Sequence, residues 1–102
     1  MEGWWCWKLW VDDVRPAPEG YVWYKSTNGA LRDIRGYYSL IEEISLDHDA
    51  GDYAHLGGDY IRLLDWLEET GRNYPIRIHS ANAVGVANMR RIIERNGWKE
   101  VR

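Results

Sequence analysis

Three short apolar runs in this chain each stop on polar groups able to do chemistry. Ile44-Ser45-Leu46 runs into Asp47-His48-Asp49. The mostly apolar stretch 4–11 stops at Asp12-Asp13, and Ile76-Arg77-Ile78 stops at His79-Ser80. Short apolar runs bounded by polar residues read as buried strands. Charged groups are costly to desolvate, so they survive where a strand ends at a crevice rather than within the strand. Segments of helical spacing lie between the later runs. Alternation of this kind narrows the fold to α/β with a mostly parallel sheet, because right-handed crossovers then carry the chain from strand to strand.

In order, residues 4–11 form the first strand, and Asp12-Asp13 opens a loop in which Pro16 and Pro18 rule out a regular helix. Residues 21–25, rich in β-branched and aromatic side chains, form a second, shorter strand. Ser26, Thr27 and Asn28 offer N-caps to a short helix on the stripe Ala30, Leu31, Ile34 and Tyr37 or Tyr38, weakened by Gly29 and Gly36. The central strand spans residues 43–47, and the glycine-rich loop after it turns His55 to water. Asp59 opens a stronger helix on Tyr60, Leu63, Leu64 and Leu67, stopped by Gly71. Pro75 introduces a strand over 76–80. Asn82 offers a cap to the last helix, marked by Val86, Met89, Ile92 and Ile93 and ended by Asn96-Gly97, with 98–101 as an edge strand. The expected fold is a single small flavodoxin-like, three-layer domain over residues 1–102, with a mostly parallel five-stranded sheet. In such a sheet a ligand lies beyond the carboxyl ends of the strands, at the switch point. Asp12-Asp13, Asp47-His48-Asp49, and His79-Ser80 with Asn82 converge there.

Apolar residues make up 45% of the 102, enough for one packed core. The aromatic set is unusual, with seven Trp, seven Tyr and no Phe. Such rings fill a core and leave their polar tips at its edge, a reading placed ahead of a carbohydrate or base-stacking platform. A formal charge of -3 speaks against a nonspecific nucleic-acid binder but leaves room for a small phosphorylated ligand. Cys6, between Trp5 and Trp7, reads as a small core residue, and a single cysteine suits a reducing compartment. No apolar run approaches the roughly 18 residues of a membrane span, and Met1-Glu2-Gly3 carries no basic leader. The expectation is a cytoplasmic monomer or homodimer without a membrane partner.

Leu9-Trp10-Val11-Asp12-Asp13-Val14-Arg15-Pro16, Ser45-Leu46-Asp47-His48-Asp49 and Ile78-His79-Ser80-Ala81-Asn82 together resemble the cyclic-phosphate processing receiver family. The resemblance runs in order over nearly the whole chain. It implies a receiver-like domain, stripped of signalling features, that handles a cyclic phosphate. The chain is also similar to the receiver domains of response regulators, which place an acidic pair after the first strand, an aspartate after the third and Ser or Thr after the fourth. Asp12, Asp13, Asp47 and Ser80 match those slots. Lys99 falls at the beginning of the last strand, where receivers carry a lysine at its end, and the expected domain is truncated before the final receiver helix. Neither departure suits phosphorelay signalling. Ala83 stands where the narrower family has proline.

Asp12, Asp13, Asp47 and Asp49 crowd negative charge into one place. Two unit charges about 4 Å apart cost roughly 4 kcal/mol at an effective dielectric near 20. Mg²⁺ or Mn²⁺ on these carboxylates would relieve it; so would a raised carboxyl pKa or pairing with Arg15. His48 and His79, with Asp47, are the candidate catalytic groups, one imidazole as general base and the other as general acid on a cyclic phosphodiester. The alternative is that each imidazole bonds a neighbouring carboxylate and orders the loops. Arg15, Ser80 and Asn82 are the candidate substrate-binding residues, Arg15 as a bidentate phosphate clamp and the other two at a helix N-terminus; ordinary pairing and capping are the alternatives. Three functions remain open: a metal-assisted phosphoesterase for a cyclic phosphate or cyclic nucleotide, a protein that sequesters such a ligand intact, for example as a phage-encoded countermeasure, and a degenerate receiver acting as an adaptor. Arg77 is expected at a surface or interface.

Overall fold

A computed structural model describes residues 7–37 and 40–102. The elements are β1 (Trp7–Val11), β2 (Val22–Tyr24), α1 (Thr27–Tyr37), β3 (Ile41–Leu46), a 3-10 turn (Gly51–Tyr53), α2 (Ile61–Thr70), β4 (Ile76–Ile78), α3 (Ala83–Asn96) and β5 (Glu100–Val101). The start of the expected first strand with Cys6, and the expected place of Tyr38 in the first helix, lie outside the described residues. The strands form one sheet in the order β2-β1-β3-β4-β5, every neighbouring pair parallel. This is the flavodoxin-like order, and β1 and β3 are neighbours at its centre as expected.

Residues alternate across a strand, and here the alternation separates two kinds of face. Leu9, Val11, Tyr24, Ile44, Leu46 and Ile76 join one buried core with Ile34 of α1, Leu63, Leu64 and Leu67 of α2, and Met89, Ile92 and Ile93 of α3. Cross-strand register puts Lys8 beside Glu43, Trp10 beside Ser45 and Trp23, and Ser45 beside Arg77, all on the opposite face. The helices share one side for a topological reason. The steps β2 to β3, β3 to β4 and β4 to β5 all move the same way along the sheet, so right-handed crossovers put α1, α2 and α3 together. Only the step from β1 to β2 runs the other way, and it is the proline-bearing loop. Of three layers, the described residues therefore build two. The second sheet face carries no described helix.

Caps explain where the helices begin and end. The Ser26 hydroxyl accepts from Gly29 N–H at 3.0 Å, and the Asn82 side chain accepts from Gly85 N–H at 3.0 Å. Gly71 and Gly97 close α2 and α3 with φ of 73° and 67°, the left-handed region glycine adopts without penalty. β3 starts earlier than the central apolar run suggests, at Ile41, because Glu43 is held within the sheet by the Tyr21 hydroxyl at 2.5 Å and Arg77 Nε at 3.0 Å. Arg77 is thus half-buried in a cross-strand ion pair. Among the described residues no helix is long and apolar enough to cross a membrane.

Candidate functional site

β1, β3 and β4 end side by side, and backbone bonds lock the ends together. Asp47 N–H donates to Val11 C=O at 2.9 Å, and His79 N–H donates to Leu46 C=O at 2.8 Å. All three groups of residues expected to meet are therefore brought to one end of the sheet.

Asp12 is the most constrained of them. It is 1% exposed, and its Oδ1 accepts from the backbone N–H groups of Val14 and Arg15, each at 2.9 Å. Its Oδ2 lies 2.9 Å from Nε2 of His79, whose Nδ1 is 2.8 Å from the Ser45 hydroxyl. Trp10 stacks on the His79 ring at 3.7 Å and 3°, and Arg15 Nη1 donates to His79 C=O at 2.8 Å. Burial opposes the charge on Asp12, but the N–H groups of Arg15 and Val14 and the His79 ring outweigh it and hold the carboxyl below its ordinary value. Burial also lowers the pKa of His79, against the pull of Asp12. A neutral imidazole beside an ionised carboxylate carries its proton on Nε2 and donates it to Asp12. Nδ1 then accepts from Ser45. Both His79 nitrogens are engaged by the protein, so this ring orders Asp12 rather than facing a ligand with a free nitrogen.

Asp13 and Asp47 stand next to Asp12. One oxygen from each of the three carboxylates falls within 4.8 Å of the others. Partial burial and the charges of Asp12, Asp47 and Asp49 push the Asp13 carboxyl up, against its own backbone N–H. Gly51, at φ 54°, lets the loop pass close by: a Cβ there would run into the Asp13 carboxylate. Asp47 Oδ1 accepts from His48 N–H at 2.8 Å. An all-oxygen set of three neighbouring carboxylates suits Mg²⁺ or Mn²⁺. The residues fit such an ion.

Asp49 belongs to a different group. His48 Nδ1 bonds Asp49 Oδ1 at 2.8 Å, and the Asn82 amide donates to the same carboxylate at 3.3 Å and 3.4 Å. His48 and then Asn82 hold the Asp49 carboxyl below its ordinary value. Asp49, His48 and Asp59 form a second triad of potential ligands within 4.8 Å. The expected four-aspartate cluster is thus three aspartates beside a His–Asp pair. His48 Nε2 makes no hydrogen bond among the described residues. The ring packs close against the start of α3, where a Cβ on residue 85 would run into its Cγ and Cδ2. Asn82 has both ends of its amide engaged, on Asp49 and on Gly85 N–H, so it caps and orients. The Ser80 hydroxyl accepts from Asn82 N–H at 3.0 Å. Arg15 remains exposed, with one nitrogen on His79 C=O.

Among the described residues the site has no enclosed pocket. Sequence reasoning passed over Ser45, Trp10, Asp59 and Gly85. One signal was present for Ser45: a hydroxyl between two buried apolar residues needs a partner.

Residues 7–95 match the family described as the cyclic-phosphate processing receiver domain. No curated protein and no solved structure matches the chain.

Proposed function

Because this chain belongs to the cyclic-phosphate processing receiver family, we propose that it binds a cyclic phosphate or cyclic nucleotide at the carboxyl ends of β1, β3 and β4 and hydrolyses one ring ester. The observation that supports this is the His48–Asp49 pair, with its outer nitrogen unbonded among the described residues, directly after Asp47 of the Asp12, Asp13 and Asp47 cluster. Asp49 fixes the proton on Nδ1, which leaves Nε2 basic. That nitrogen takes a proton from water as the oxygen attacks phosphorus. The ring P–O bond breaks, and the leaving oxygen takes up a proton to give a phosphomonoester. Asp12, Asp13 and Asp47 would hold Mg²⁺ or Mn²⁺, which would neutralise a phosphate that the carboxylates otherwise repel. Arg15 and the Ser80 hydroxyl would grip phosphate oxygens, and His79 keeps Asp12 in place.

One observation favours a second reading, capture without cleavage. With both His79 nitrogens held by Ser45 and Asp12, a single imidazole is left to move protons. Incubation with a panel of cyclic mono- and dinucleotides and Mg²⁺ or Mn²⁺, followed by ³¹P NMR, separates the two. Hydrolysis predicts a monoester signal, reduced about 100-fold or more in rate by His48→Ala. A ligand that raises the melting temperature and returns intact supports capture. Folded protein that neither cleaves nor binds any member of the panel overturns both, and leaves the adaptor reading, in which Asp47→Asn is tolerated.

A further inference from the structure

The sheet face without a described helix is lined with rings. Register sets Trp23 of β2 beside Trp10 of β1. Tyr21 meets Trp10 edge-on at 5.7 Å, and His79 stacks on Trp10 from the β4 side. We propose that this face is a nucleobase platform, and that the ligand of the neighbouring site is a nucleotide whose base stacks there, with Trp23 as the exposed ring. The proposal rests on the cyclic-phosphate reading and narrows it to ligands that carry a base.

Three observations carry it. The first is that the rings do not serve the core. The core lies on the helical side, while Trp23 is 37% exposed on the other. Tryptophan is a costly residue to leave in water on an edge strand, and every nucleobase has a π-face that stacks on it. The second is continuity with the site. Trp23 Nε1 donates to Asp12 C=O at 2.8 Å, and Trp10 lies flat on the imidazole that bonds Asp12. A ligand with its phosphate at the strand ends therefore has aromatic surface within reach on this side. The third is charge. Lys25 sits 4.7 Å over Trp23 and Lys8 5.5 Å over Tyr21, with Arg77 on the same face. Glu43 in their midst is buried and tied to Tyr21 and Arg77, and Glu42 meets Lys8 at 4.0 Å. That leaves Lys25, exposed over the Trp23 ring, as the cation beside the platform, and a cation against a ring suits an anionic ligand with a flat base. An open sheet face with aromatic residues is a recurrent way to hold bases.

The test compares affinities of Mg²⁺-loaded protein for 3′,5′-cyclic AMP and for a cyclic phosphodiester without a base, in the wild type, Trp23→Leu and Trp23→Tyr. Circular dichroism confirms the fold of each. The expected result is tighter binding of the nucleotide than of the base-free diester. Trp23→Leu should lower nucleotide affinity about ten-fold and lower diester affinity by far less, while Trp23→Tyr retains most of the nucleotide affinity. Equal affinity for the two probes, unchanged by Trp23→Leu, overturns the platform and leaves the phosphate site standing. If neither cyclic probe binds, adenosine decides: tryptophan quenching lost in Trp23→Leu keeps the platform while the phosphate reading falls, and no quenching overturns the platform too. A dimer that Trp23→Leu breaks with no change in nucleotide affinity assigns the face to self-association and overturns the proposal.

Discussion

Single side chains decide how the candidate site is wired. Asp12, Asp13, Asp47, His48, Asp49 and His79 were legible because each follows directly on an apolar run, and a polar group at that point needs a reason. Their roles were less legible. His79 reads as a proton carrier from its neighbours in sequence, yet its partners are Ser45, 34 positions away, and Asp12, 67 positions away. No local pattern reveals such a pairing; it follows only from the register of β1, β3 and β4. Ser45 is fully buried, and its hydroxyl is what Nδ1 of a neutral His79 needs. Ser45→Ala leaves that nitrogen desolvated and unpartnered, so we expect a loss of about 1–3 kcal/mol in unfolding free energy. Urea denaturation reads it directly. A change below a few tenths would mean that water replaces the hydroxyl.

Elements were legible where their boundaries are chemical. Gly71, Gly97 and Asn82 stop or start helices where their backbone and capping preferences say they should. β3 was read two residues late and one residue too far, over 43–47 where the strand is Ile41–Leu46, because Glu42 interrupts the apolar run at its start; only the partners on β4 and beside β2 show how the Glu43 carboxylate is held in the sheet. The packing of α2 on α3 has a signature of its own. Glu68 accepts from Arg95 Nε and Nη2 at 2.8 Å each and from Asn96 Nδ2 at 2.7 Å. Arg95, then Asn96, lower the Glu68 pKa from 4.5 to about 2. A folded-state pKa below the unfolded one stabilises above the unfolded value, and the stabilisation is lost as pH falls through the folded one. The contribution is therefore complete above pH 4.5 and gone near pH 2. Glu68→Gln should flatten that part of the acid limb in urea titrations taken across the window. The pair is exposed, so the effect is small and shrinks with added salt.

On the scale of the whole molecule, the order β2-β1-β3-β4-β5 was legible from the alternation of strands and helices, and the convergence at one end of the sheet came with it. That no described helix covers the second face was not. It depends on the direction of each crossover and on the proline loop taking the place of a helix. Core and site occupy different parts of the molecule, which predicts that they fail separately. Leu64 of α2 is fully buried, and Leu64→Ala should cost about 2–5 kcal/mol while leaving unchanged the Mn²⁺ affinity that the proposed centre predicts, measured by titration well below the melting temperature. A fall in that affinity would show that α2 packing shapes the acidic end. The span between Asp12 and His79 has a last consequence, for synthesis. A nascent chain emerges from its amino end, so Asp12 is made 67 positions ahead of the imidazole that holds it. Until then the carboxylate lacks its buried partner, and the arrival of β4 is the moment that fixes Asp12 in place.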